Sequence, residues 1–311
     1  MASSNFAAIG ARNFRAKCAL FIVRYYKFIV RLYQGFCDII IFMKRCEKRN
    51  ILYRQWGSSS PRAAILLVHG LGGHSNNWEF VAKFLMEHDI TSYAIELKGF
   101  GNTEGLKGHI NSLNVYIKDV RRLYNIIRRE HRRLPIFIAG ESMGGLIGFL
   151  TVIKKPKLFR GLVCMAPGFA SGLKFTLVEY LKMVSAHFYN SKKQFIMPFT
   201  SDMCTRDPEC KKIIDNDKLE HKFATPGLLL SILLAQMASH MSKHKIRTDT
   251  LFLLAGDDTF VKSSVSKRIF KGIKFKHKEI IEYPEMRHSL TMELGREKVF
   301  ADLLKWLEKR I

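Results

Sequence analysis

The sequence predicts an α/β protein, a mostly parallel sheet covered by helices on both faces. Three observations predict it. From about Asn50 onward, short apolar segments alternate with longer helical ones, the order expected of strands joined by helical crossovers. One of those short segments, Pro135-Ile136-Phe137-Ile138-Ala139, is β-branched or aromatic and fully apolar, so it reads as a buried strand. That strand turns into an apolar helix through a stretch where one serine stands among glycines.

Taken in order, residues 63–68 (Ala-Ala-Ile-Leu-Leu-Val) are a strand, 77–87 a helix and 92–97 a strand. Residues 113–131 form a long helix with Ile117, Val120, Leu123, Ile126 and Ile127 on one side. The strand at 135–139 leads into a helix over 146–153 that stops at Lys154-Lys155-Pro156. Strands follow at 161–165, 250–254 and 279–283, and a helix over 297–309 closes the chain. Between Gly168 and about Arg247 the alternation stops. Two helical candidates, 173–188 and 225–241, flank a polar middle with Asp202, Asp207, Asp215 and Asp217, as in an excursion above the sheet. The expected domain runs over 49–311, with this helical cap at about 168–247.

The serine sits in Gly140-Glu141-Ser142-Met143-Gly144. This is a G-x-S-x-G turn, which exposes a hydroxyl at the apex of a strained strand-to-helix bend. Glycines permit the bend because they lack Cβ. A serine hydroxyl needs a base, and the base needs a third group to hold it. Both occur just past later strands. Leu251-Phe252-Leu253-Leu254-Ala255-Gly256 ends in Asp257-Asp258-Thr259-Phe260-Val261, and Ile280-Ile281-Glu282-Tyr283 ends in Pro284-Glu285-Met286-Arg287-His288. An oxyanion needs two backbone N–H donors. Met143, right after the serine, offers one, and Leu71 in His69-Gly70-Leu71-Gly72-Gly73-His74-Ser75 is the candidate for the other.

With these motifs in place ("HGLGGHS", "GESMGG", "LLAGDDTFV", "YPEMRHSL"), the chain from about Ile51 onward resembles the monoglyceride lipase and lysophospholipase branch of the serine α/β-hydrolases. The resemblance implies the α/β-hydrolase fold with a helical cap. It implies Ser142 as nucleophile, His288 as base, Asp258 as acid, and Leu71 and Met143 as oxyanion donors. Asp257 competes with Asp258, and Asp258 is preferred because Asp-Thr-Phe-Val fits the family's D-x-x-V. Glu141 is given only a structural role. The chain departs from the family at Gly99-Phe100-Gly101-Asn102-Thr103, where G-H-G-x-S is common, and at Thr248-Asp249-Thr250, where a proline is usual. The activity implied is hydrolysis of acyl esters of monoacylglycerols or lysophospholipids through an acyl-enzyme. A thioesterase, carboxylesterase or aminopeptidase of the same fold is the alternative, and a non-catalytic membrane-binding protein is the third reading.

The stretch before Asn50 differs in character. Lys17, Arg24, Lys27, Arg31, Gln34 and Asp38 fall on one narrow stripe of a helix, and nearly everything between them is apolar, through Ile39, Ile40, Ile41 and Phe42. Residues 1–48 therefore read as a basic amphipathic extension lying in a membrane interface, too often interrupted by charge for a spanning helix. A docked helix is the alternative. The formal net charge of +24 attracts anionic partners, here an anionic membrane surface beside the lipid ester substrate. Basic runs such as Arg128-Arg129-Glu130-His131-Arg132-Arg133 come with no nucleic-acid motif, so no nucleic-acid partner is expected. No Walker loop, G-x-G-x-x-G, C-x-x-C or H-E-x-x-H occurs, so neither metal nor nucleotide cofactor is expected. The six cysteines read as reduced thiols and point to a cytoplasmic-facing protein, peripheral on the membrane.

Overall fold

The structure is a computed structural model that describes residues 40–46, 51–173 and 176–311. Among the described residues eight strands form one sheet in the order β1-β2-β4-β3-β5-β6-β9-β10. They are β1 (Ile40–Cys46), β2 (Ile51–Gly57), β3 (Ala63–Val68), β4 (Ile90–Glu96), β5 (Ile136–Glu141), β6 (Gly161–Met165), β9 (Asp249–Ala255) and β10 (Lys278–Tyr283). β1 pairs antiparallel with β2, and β2 with β4. All pairings from β4 onward are parallel. The fold class expected from the alternation of strands and helices is the one the chain adopts.

The period of two along each strand divides the core. Ala64, Leu66 and Val68 of β3 join one buried cluster with Ile136 and Ile138, while Ala63, Ile65 and Leu67 join the other with Phe137 and Ala139. Helices α2 (Asn114–Glu130), α3 (Met143–Lys154) and α8 (Ser263–Gly272) contribute Val120, Leu146 and Ile269 to the first cluster. Helices α1 (Glu79–Glu87) and α9 (Arg296–Glu308) cover the other face with Leu85, Leu303 and Trp306. Both faces of the central strands are therefore apolar, which is why those strands read as continuous hydrophobic runs.

The sheet begins earlier than the sequence suggests. β1 lies within the stretch assigned to the basic extension, where Ile40, Ile41 and Phe42 were given to a helix. These β-branched and aromatic residues suit a strand once a partner exists, and the partner is β2, with Ile40 opposite Gly57 and Cys46 opposite Ile51. β2 is itself irregular, burying Ile51, Tyr53 and Trp56 around the polar Arg54 and Gln55, so no simple period announces it. The rest of the expected extension over residues 1–48 lies outside the described residues.

Among the described residues no strand of the main sheet falls between β6 and β9, where a helical cap is expected. The chain there forms α4 (Leu177–Tyr189), a short β7 (Phe195–Ile196), α5 (Ser201–Cys204), α6 (Pro208–Asn216), β8 (Phe223–Ala224) and α7 (Pro226–Ser242). β7 and β8 pair into a separate two-stranded ribbon. The helix starts are written in the sequence. Thr176 and Glu179 make a capping box on α4, and Asp207-Pro208 and Thr225-Pro226 supply a capping oxygen and an N1 proline to α6 and α7.

Candidate active site

Ser142 occupies the bend between β5 and α3 with φ 54° and ψ −121°, a backbone conformation that side-chain-bearing residues rarely hold. The neighbouring glycines make it feasible. A Cβ at Gly140 would overlap the backbone of Gly144, and a Cβ at Gly144 would overlap the carbonyl of Val68 on the adjacent strand. The bend is pinned from outside as well. The Ser142 N–H donates to the Met165 carbonyl at 3.0 Å, and the Ser142 carbonyl accepts from Gly168 N–H at 2.8 Å.

Asp258 and His288 come from the ends of β9 and β10. His288 Nδ1 lies 2.8 Å from Asp258 Oδ2. The other carboxylate oxygen of Asp258 accepts from the N–H groups of Phe260 at 2.8 Å and Val261 at 3.0 Å. The Asp258 side chain is fully buried, and the Phe260 ring packs against the imidazole with centroids 4.8 Å apart. Burial opposes a charge on His288, but the charge and hydrogen bond of Asp258, with Glu141 adding, raise its pKa above the ordinary imidazole value. Asp257 points elsewhere, 59% exposed and 3.6 Å from Arg287 Nε. Of the two competing carboxylates, the structure brings Asp258 to His288.

The loop after β3 is held by two buried side chains. Leu97 N–H donates to His69 Nε2 at 3.0 Å. Nδ1 therefore carries the proton of the neutral ring, and it donates to the Gly70 carbonyl at 2.8 Å. Burial drives the His69 pKa down to about 4, against the opposing charge of Glu96. Glu96 accepts from Ser75 N–H at 2.8 Å and from Asn102 N–H at 2.7 Å. The Gly72 carbonyl accepts from His221 N–H at 3.0 Å, and His74 Nε2 pairs with Asp217 at 2.7 Å, so the loop is also tied to the excursion above it.

Ser142, His288, Leu71 and Met143 all line one cavity of about 1020 Å³. Its wall runs from these residues to Leu177, Val184 and Phe188 of α4 and Leu229, Leu230 and Leu233 of α7. Two acids on this wall escaped the sequence reading as site residues. Burial pushes the Glu141 carboxyl up to about 7, with Asp258 adding and His288 opposing, and its Oε1 is buried with no protein partner. Glu220 is likewise pushed up to about 7, chiefly by burial, with Asp217 adding. The lone position of Glu141 beside the serine is a signal for it. Glu220 has none, because the excursion folds it back over the site from far along the chain. Among the described residues no group of His, Cys, Asp and Glu is placed to hold a metal ion. Cys164, Cys204 and Cys210 are free thiols among the described side chains.

The family model described as serine aminopeptidase, S33, matches residues 59–295. Human monoglyceride lipase is 26% identical over 268 residues, covering 83% of this chain and 86% of that protein. The phospholipase YtpA of Bacillus subtilis is 23% identical over 248 residues, covering 79% of this chain and 95% of that protein. The crystal structure of the monoacylglycerol lipase of Paleococcus ferrophilus superposes with a TM-score of 0.77 at 22% identity, over 84% of this chain and 99% of that one. A soluble variant of the Saccharomyces cerevisiae monoglyceride lipase, crystallised with a substrate analogue, superposes with a TM-score of 0.73 at 17% identity, over 88% of this chain and 95% of that one.

Proposed function

This chain belongs to the serine aminopeptidase S33 family and has the α/β-hydrolase fold, and we propose that it hydrolyses the acyl esters of monoacylglycerols or lysophospholipids. One observation carries the reading: His288, hydrogen-bonded to the buried Asp258, and the strained Ser142 open on the same cavity, which is largely apolar toward α4 and α7. An acyl chain has a place to lie, and its ester carbon has a hydroxyl to meet. The names of the human and B. subtilis relatives agree with a lipid ester.

In the proposed reaction Ser142 Oγ attacks the ester carbonyl while its proton passes to His288 Nε2. Asp258 fixes the tautomer that leaves Nε2 free and stabilises the imidazolium that forms. The N–H groups of Leu71 and Met143 stabilise the oxyanion. Collapse breaks the ester bond, and the alcohol leaves with the proton from His288. Water, deprotonated by His288, then frees the fatty acid from Ser142. The excursion over 168–247 serves as the cap on the acyl site, and the part of the basic extension that precedes β1, residues 1–39, holds the enzyme at an anionic membrane on the cytoplasmic side.

A screen of monoacylglycerols, lysophospholipids, acyl thioesters and aminoacyl amides of rising chain length tests this. Preference for long-chain oxygen esters, abolished in Ser142→Ala, is expected. Preference for aminoacyl amides would return the chain to the peptidase chemistry in its family's description.

A further inference from the structure

We propose that the described domain carries its own docking face for an anionic lipid bilayer, formed by the outer side of α7 together with the basic surface of α8 and the turn before β9. The inference extends the lipid-ester reading to the surface that would meet the lipid, and rests on that reading.

The apolar half of the face is plain from exposure. Met241 is 73% exposed, and Leu234 and Met237, on the same outer side of α7, are about half exposed. None of the three lines the cavity, so substrate contact does not account for them. They follow in the chain from Leu233 of α7, which lines the cavity with Leu177 and Phe188 of α4, all three exposed. Contiguous apolar surface of this kind marks an interaction site.

The basic half follows directly in the chain. α7 runs into a 3-10 turn, Lys243–Lys245, which packs against α8. The Lys243 stem lies over Gly272 at the end of α8. Lys245, Arg247, Arg268, Lys271 and Lys274 are exposed around this junction. His240 sits within it: partial burial, then Lys243 and Arg268, hold its imidazole below the usual value. No acidic residue occurs in 221–248 or in 259–278. Of the acids that bound these stretches, Glu220 is turned to the cavity and the others are paired. Asp249 pairs with Arg160 and Arg310, Glu279 with Arg310, and Asp258 with His288. An apolar ridge beside a surface so rich in cations, where Glu282 neutralises Lys267 alone, matches a bilayer with anionic head groups, each cation near the surface adding attraction. A neutral apolar partner would leave the basic half unused.

The test uses the full chain carrying Met241→Trp, mixed with vesicles of dibrominated phosphatidylcholine, with or without phosphatidylserine. Trp56, Trp78 and Trp306 are buried and provide a constant background. The introduced indole should be quenched in the phosphatidylserine vesicles and much less in phosphatidylcholine alone. Adding Arg268→Glu, Lys271→Glu and Lys274→Glu should weaken the partitioning seen by that indole by about tenfold or more, with cleavage of a dispersed short-chain ester unchanged. Vesicle binding without quenching would assign the membrane contact to the extension alone and overturn the proposal. Equal quenching in both lipids would overturn its anionic half. Self-association without vesicles, abolished by the charge reversals, would assign the face to a second copy of the chain. Fluorophosphonate labelling and short-chain ester cleavage report the hydrolase reading separately in every arm.

Discussion

His288 Nδ1 stands 2.8 Å from a carboxylate oxygen of Asp258, while Asp257, one residue earlier, turns outward to Arg287. A pair that the sequence leaves in competition is thus separated by geometry. Asp258→Asn should lower kcat/KM for a short-chain ester by roughly 10³–10⁴-fold, because the tautomer at His288 is no longer fixed. Asp257→Asn should leave it within about twofold, since an exposed ion pair contributes little. Parallel kinetics on the two variants check this, and a dead Asp257 variant would reverse the assignment.

Ser142→Ala should lower kcat by about 10³-fold or more without lowering the melting temperature. The strained backbone of the bend is imposed by Gly140, Gly144 and the bond to Met165, none of which the substitution touches. Initial rates beside a circular-dichroism melt separate loss of chemistry from loss of fold.

Gly144→Ala should do the opposite, failing as a fold before it fails as a site. Its methyl would overlap the Val68 carbonyl between two central strands. A cost of about 1–3 kcal/mol or more is expected from such overpacking, read as a lower denaturation midpoint.

Glu141 gives a pH prediction with a definite sign. Its folded pKa of about 7 lies above the ordinary value of 4.5. The neutral acid is thus the form the folded state prefers, and that preference is lost as pH rises through about 7. The melting temperature of the parent should therefore fall relative to Glu141→Gln as pH is raised from 5 to 8. The charge on Glu141 also raises the His288 pKa, so the acid limb of kcat/KM should move to lower pH in Glu141→Gln. A stability difference that does not vary with pH would show that Glu141 is no more than packing.

The structure relocates the boundary for a truncation. A chain starting at Arg49 would lose β1 from the sheet, whereas one starting at Ile40 keeps it. The chain lacking residues 1–39 should hydrolyse dispersed short-chain esters normally and sediment with anionic vesicles less than the full chain does. Binding by the full chain should decline with salt as its surface charges are screened. Equal sedimentation of both chains at all salt concentrations would remove the extension from the membrane contact.

The parts of this protein that were legible in the sequence are those dictated by local physics. The central strands are apolar on both faces, the Ser142 bend needs glycines on each side, and Asp258 and His288 sit at strand ends within a few residues of their strands' last apolar position. What was not legible depends on partners distant in the chain. Ile40, Ile41 and Phe42 read as helix until β2 offers hydrogen bonds, α8 has little apolar sequence beyond Val265, Ile269 and Phe270, and Glu220 reaches the cavity only through the path of the excursion. The unpaired Oε1 of Glu141 could not be foreseen either, since the groups that act on that carboxyl, His288 and Asp258, come from far along the chain.

β6 and β9 are neighbours, with Gly161 opposite Asp249 and Met165 opposite Leu253, although the whole excursion separates them in the chain. The excursion thus leaves and re-enters at one seam. Closing a loop costs entropy that grows only with the logarithm of its length, about 0.6 kcal/mol for each doubling. The strands on either side are almost indifferent to how much polypeptide is spliced between them. The part that would choose the substrate can therefore be exchanged, shortened or enlarged as a module while Ser142, Asp258 and His288 keep their places, which makes this seam the natural joint for grafting a different specificity onto the same chemistry.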